Sequence, residues 1–383
     1  MKKVFLTLTV ILLSISFYPV SAMEKTADIL KKNVVTSGDG LYVDSTVDGR
    51  YIYRGGNPNN YIRLGDDLYR IISVEKDGTI KVIKQESIGE MAWDKENIRK
   101  STDSNDFCTG TLGCKSWGSK TTTLDSSGNN VTQMPRKSNG TLKNLPEKEA
   151  SLNTYLNNDF YNGLSDDVKK MIINGTWSIG TVDWFQSNLL ESIKEESAYK
   201  WKGKVALINA TDYVKASTNS ACTSMQTYTS EYEFGSRLCY ENSSSHNYLY
   251  SNNYPWTVSS EGRYEDNSFS VYCIYSDGFI GGNYANFAKP NYSSVRPVFF
   301  LSSEIILTGE GTETNPYTVS KNVEEVKDNP KDEENKGDVK VDNGQVVEVP
   351  STSAFGSIII AVLGIVCVTG SALVMKRTTG RGK

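Results

Sequence analysis

The chain has 383 residues and a formal net charge of −4, with a pI near 5.4, a balance that argues against nucleic acid as a partner because no basic surface is available to meet phosphate. A single histidine, His246, and the lack of CxxC spacing argue against a zinc site. The same lone imidazole leaves little room for a Ser-His-Asp or Cys-His arrangement.

Residues 1–22, "MKKVFLTLTVILLSISFYPVSA", carry two lysines, an apolar run from Val4 to Phe17 and small residues at Ser21 and Ala22. This order predicts a secretory signal cleaved after Ala22. Residues 24–38 suit a short helix on Ile29 and Leu30, after which "GLYVDSTVDGRYIYRGG" opens a β-rich segment. From Tyr61 to Ile88, three alternating apolar runs are separated by Gly-Asp-Asp and Lys-Asp-Gly, which predicts a meander.

From Ser101 to Asn144 the chain is rich in Ser, Thr, Asn and Gly without an apolar period, so long loops are expected. Leu152, Tyr155, Leu156 and Phe160 then fall on one helical stripe ending near Gly163, and Ser165 is placed to cap a following helix with Asp166 and Asp167 in its first turn. A further helix is expected from about Ser187 to Tyr199 on Leu189, Leu190 and Ile193. Val205–Ile208 reads as a short buried strand leading to a brief helix capped by Thr211 or Asp212. "PWTVSS", "FSVYCIYSDGFIGG" and "SVRPVFFLSSEI" supply later strands, with Asp277-Gly278 as a hairpin turn. Two hairpin-rich β segments around a helical middle give an α+β domain over 23–320.

Outside the C-terminal apolar run the cysteines are Cys108, Cys114, Cys222, Cys239 and Cys273, in a compartment where disulfides persist. Cys108–Cys114 and Cys222–Cys239 are the expected pairs, each closing a local polar stretch, although spacing alone does not fix connectivity.

Residues 321–349 have few aromatics, mixed charge and an acidic excess, which predicts a disordered tether reaching roughly 30 Å on average. Residues 354–375 form an apolar run that as a helix spans roughly 33 Å, enough for one membrane crossing. The basic tail 376–383 follows and belongs on the cytoplasmic side, leaving the domain outside the cell. Between tether and apolar run stands "VEVPSTS", residues 347–353. Pro-x-Thr, an apolar helix and a basic tail in this order resemble the sorting signals that sortases cleave in Gram-positive bacteria. Pro350 and Thr352 match that family's Leu-Pro-x-Thr-Gly pattern, while Val349 stands at its Leu and Ser353 at its Gly. The anchor is therefore expected to be the membrane helix, or the cell wall through a sortase.

"LYRIISVEKDGTIKV", "LNTYLNNDFYNGLSDDVKKMI", "GKVALINATDYV", "PWTVSS" and "SVRPVFFLSS" occur in this order over most of residues 40–318. They resemble the blocks of a widespread family of extracellular bacterial domains of unknown function. The last two blocks also resemble those of the C-type-lectin-like fold shared with formylglycine-generating enzymes. That resemblance implies late core strands over Val271–Ile280 and Val295–Leu301, with the loop between them on the ligand-facing surface. The paired copper-holding cysteines of the formylglycine-generating enzymes, and the Glu-Pro-Asn or Gln-Pro-Asp motifs of calcium-dependent sugar-binding lectins, have no counterpart here. The resemblance therefore implies neither oxidase chemistry nor sugar binding, and no metal or other cofactor is expected.

Nine tyrosines lie between Tyr240 and Tyr292 amid Asn, Ser and Gly, a mix that suits adaptable contact surfaces and also ordinary sheet faces and turns. Tyr284, Tyr292, Asn283 and Asn286 are the expected ligand contacts. Trp256 is a further candidate that fits better as a core anchor, and Arg296 is expected to be scaffold. Asp266, Asn267 and Asp277 lack the twelve-residue pattern of an EF-hand. The residues thus point to a non-enzymatic, adhesin-like surface protein that binds an extracellular protein or glycan. A wall-associated hydrolase using paired carboxylates, or a passive structural surface protein, are the alternatives.

Overall fold

The computed structural model describes residues 25–320 except 96, 184–188, 224–242 and 287–292. The chain divides into two compact units, Met1–Asn329 and Pro330–Lys383, and every described residue belongs to the first. The expected signal, tether, Val349-Pro350-Thr352 motif, apolar run and basic tail lie outside the described residues. Among those described, no helix is long and apolar enough to cross a membrane.

The fold is mixed α+β, with much sheet and few, short helices. The meander is present as antiparallel strands Tyr61–Leu64, Asp67–Val74 and Ile80–Lys84. Its second turn closes with Glu75 donating its N–H to the carbonyl of Thr79, and Gly78 supplies the left-handed φ of +86° that a side chain would resist. The alternation read from the sequence is only partly kept in burial, because Ser73 and Lys81 are as buried as Ile71 and Val82. The reason is a polar layer beneath the helix Ala210–Lys215. There Asp212 meets Arg50 at 2.9 Å and Lys81 at 2.8 Å, while Asp44 meets Lys215 at 3.0 Å and Arg50 at 3.3 Å. Burial raises Asp212, but Arg50, Lys81 and Lys215 outweigh it and hold the carboxyl well below the usual carboxylate range.

Ser165 caps the helix Asp166–Met171 as expected, its side chain accepting from the Val168 N–H. Two expectations are corrected. Thr211 and Asp212 do not cap the helix Ala210–Lys215: its N-cap is Asn209, while Asp212 turns to the ion pairs and Thr211 donates to buried Glu196. In the helix Leu189–Ser197, Leu190 is 48% exposed, so of the three apolar residues only Leu189 and Ile193 pack on the core, beside buried Ser192 and Glu196. Val298–Leu301 is an interior strand, paired with Ile80–Lys84 on one side and with Val205–Ala206 and Ile172–Ile173 on the other. Pro297, which has no N–H for a ladder, sits just before this strand, where its missing donor is tolerated. Two short strands follow it, Leu307–Thr308 and Tyr317–Val319, the latter running parallel beside Tyr61–Leu64.

A second sheet joins Thr181–Val182, Trp256–Glu261, Ser270–Ile274 and Ile280–Tyr284. Its hairpin turns at Asp277-Gly278 as the sequence predicts, with Gly278 at φ +87° and Asp277 accepting from the Phe279 N–H. The helical stripe from Ser151 contains a π-turn over Leu156–Phe160. Within it, Asn157 accepts from the N–H groups of Lys204 and Val205 and donates to the Val205 carbonyl, standing in for a missing strand partner.

Candidate functional site

The described residues from Gly89 to Arg99 form no helix or strand, yet most of them are fastened to the rest of the domain. The Trp256 indole donates to the Met91 carbonyl at 2.9 Å, and Trp93 donates to the Thr257 carbonyl at 3.0 Å. The Asp94 N–H reaches the Ala285 carbonyl, and the Trp93 carbonyl accepts from Leu152 at the start of the next helix. Asp94 is fully buried and acts as a hub. Its two carboxylate oxygens accept from the Ser151 N–H, the Cys114 N–H and Arg99 Nε. Arg99 uses its remaining donors on the carbonyls of Cys114, Ser116 and Lys148. Burial lowers the Arg99 pKa, with Asp94 opposing that shift.

Between this fastened segment and the helix beginning at Ser151 lies a cleft of about 690 Å³, with Met91, Ala92, Ile98, Leu152 and Tyr155 among its lining residues. Its ionisable lining groups are Glu90, Lys95, Lys148, Glu149 and Asp159. Ile98 is 55% exposed. A second hollow of about 580 Å³ shares Ile98 and Lys148 with the cleft, and a third of about 640 Å³ shares Lys100 and Ser101 with the second. The three form a row along residues 98–101, within the size range of ligand sites. An apolar floor with charges of both signs suits recognition of an extended, partly charged ligand.

Cys108 and Cys114 are bonded, as expected, beside the second hollow. Cys222 is also in a disulfide, while Cys239 lies outside the described residues. Cys273 is free and buried, and burial pushes its thiol up to about 12. Among the described residues no group of His, Cys, Asp and Glu is placed to hold a metal ion. Asn267 and Asp277 accept backbone N–H groups in turns.

Tyr284 is 49% exposed and packs edge-to-face on Phe269. Asn283 accepts from the Tyr284 N–H, and Asn286 donates its N–H to Leu112 in the disulfide loop. Tyr292 lies outside the described residues. Trp256, offered above as a ligand contact, is only 1% exposed, because its ring fills the core and its indole N–H holds the cleft wall at Met91. Arg296 is buried scaffold, donating to the carbonyls of Lys84 and Leu249.

Sequence reasoning passed over Ile98, Met91 and Tyr155 as site residues. An isolated Ile in the polar stretch "KENIRKS" was the signal within reach, since nothing near it supplies a period that would bury it. No family model, curated protein or solved structure matches the chain.

Proposed function

We propose that the chain is an adhesin-like, non-enzymatic binding protein displayed on the cell surface, its α+β domain engaging an extracellular protein or glycan at the cleft beside Ile98. The observation that carries this reading is the cleft itself: an apolar floor and a two-signed rim, built on a segment held rigid by Asp94, Arg99, Trp93 and Trp256. A C-type-lectin-like architecture is part of the proposal. It is supported by the side-by-side placement of an early and a late strand, Tyr317 opposite Ile62, and by the small second sheet leading into the loop after Tyr284. The display arrangement of signal, tether, sorting-like motif and membrane helix rests on the sequence. Release by wall-digesting enzyme but not detergent would indicate sortase attachment, and the reverse a membrane helix.

The test is a screen of the secreted chain against glycan arrays and extracellular proteins. Saturable binding that is weakened by Ile98→Asp supports the proposal, whereas no saturable ligand in either screen overturns it.

A wall-associated hydrolase is the second reading, favoured by one pair of carboxylates. Ser138 Oγ lies 2.8 Å from both Asp183 Oδ2 and Glu195 Oε1, and burial raises the Glu195 pKa. Release of reducing sugar or peptidoglycan fragments, abolished by Glu195→Gln, would favour this reading over the first.

A further inference from the structure

Lys81 is an unusual residue to find in the middle of a sheet. Its strand, Ile80–Lys84, lies between Asp67–Val74 and Val298–Leu301, and the side chain is buried. Nζ lies 3.2 Å from Asn209 Oδ1 and 2.8 Å from Asp212 Oδ2. The rings of Trp177 and Phe300 are also close, with centroids 5.0 and 5.5 Å from Nζ. Asn209 is equally out of character. It occupies the N-cap position of the helix Ala210–Lys215 but makes no side-chain cap, the usual reason for an asparagine there. Instead its amide is held between Lys81 and the Ser178 carbonyl, which accepts from Nδ2 at 2.8 Å. A primary amine, a carboxamide and a carboxylate are thus fixed together in a buried pocket.

We propose that Lys81 and Asn209 react with one another to form a side-chain amide, cross-linking the central sheet to the helix Ala210–Lys215. In the step, one Nζ proton passes to Asp212 Oδ2 and the freed lone pair attacks Cγ of Asn209. The new Nζ–Cγ bond forms, the Cγ–Nδ2 bond breaks, and the departing nitrogen takes a second Nζ proton and then the proton lent to Asp212, leaving as ammonium and restoring the Asp212 carboxylate. The third proton stays on the new amide, so atoms and charge balance without an oxidant, a reductant or a cofactor. Three features of the pocket favour the reaction. The groups are already in contact, which removes most of the entropic cost of a bimolecular encounter. The proton acceptor is 2.8 Å from the nucleophile. The burial that excludes bulk water also limits hydrolysis of the product. Arg50 and Lys215 remain to pair with Asp44 and Asp212 once the Lys81 charge is gone.

The experiment is mass spectrometry of the full chain, purified in its folded state and digested with trypsin after reduction. The expected result is a branched peptide joining 77–84 to 205–215, lighter than the sum of the two by one ammonia and uncleaved after Lys81. It should disappear in Lys81→Arg and Asn209→Ala, and should not form in chain held unfolded in urea. Recovery of 77–81 and 205–215 as separate, unmodified peptides from the folded wild-type chain would overturn the proposal. So would an ammonia loss that maps to another lysine. Because the decisive reading comes from wild-type protein, failure of either variant to fold leaves it intact. It also bears only on the cross-link, so it is independent of the cleft's ligand.

Discussion

Asp94 and Arg99, five residues apart in an irregular segment, meet as a charge pair with both side chains 1% exposed, Arg99 Nε lying 3.1 Å from Asp94 Oδ2. Together they tie the cleft segment to the disulfide loop and to the start of the helix at Ser151. Removing either partner leaves the other charge buried and alone. Arg99→Met or Asp94→Asn is therefore expected to cost about 3–5 kcal/mol in urea unfolding. The double variant should cost clearly less than the sum of the two, and additive losses would mean that the two residues act separately.

The cleft surface behaves differently. Ile98 and Tyr155 line the hollow, and Ile98 is largely exposed. Ile98→Asp is expected to change stability by no more than about 0.5 kcal/mol, the range of ordinary surface substitutions. It should weaken ligand capture at least tenfold, read by titration with whichever ligand the screens return.

Cys108–Cys114 closes a short loop of sequence separation 6. On the chain-entropy model such a loop stabilises by about 2 kcal/mol. Replacing both cysteines by serine should lower the unfolding midpoint accordingly, and ligand affinity should fall as well, because the same loop lines the second hollow and receives the Asn286 N–H.

Lys115 gives the pH signature. Its Nζ donates to the carbonyls of Arg136 and Glu261 inside the protein. Burial drives its pKa from 10.5 down to about 7, with Glu261 opposing. Between pH 7 and 10.5 the unfolded chain therefore binds more protons at this site than the folded one, so its contribution to stability rises with pH across that window and is flat below it. The stability of wild type relative to Lys115→Met should rise from pH 7 to pH 10. A difference independent of pH would show that the ammonium stays charged in the fold.

Much of the architecture was legible because it is local. The meander, the Asp277-Gly278 hairpin, the Ser165 cap and the Cys108–Cys114 bond each depend on residues near one another in sequence, and each is found where it was expected. Trp256 and Asp212 were harder, since their roles depend on partners far along the chain: Met91 for the indole, and Arg50 and Lys81 for the carboxylate. The cleft was least legible. It is built by an irregular segment whose order comes from hydrogen bonds to Asp94, Trp93 and Trp256, and such bonds leave no periodicity to read.

The interior position of Val298–Leu301 also governs how the protein can be made. The meander from Tyr61 to Lys84 has all it needs to assemble early in synthesis, but one side of Ile80–Lys84 has no partner until residue 298 emerges. Until then the growing chain presents an unpaired strand edge, the kind of surface that captures other strands. Completion of the sheet must wait for nearly the whole domain, so folding is expected to be slow and to profit from a holding chaperone.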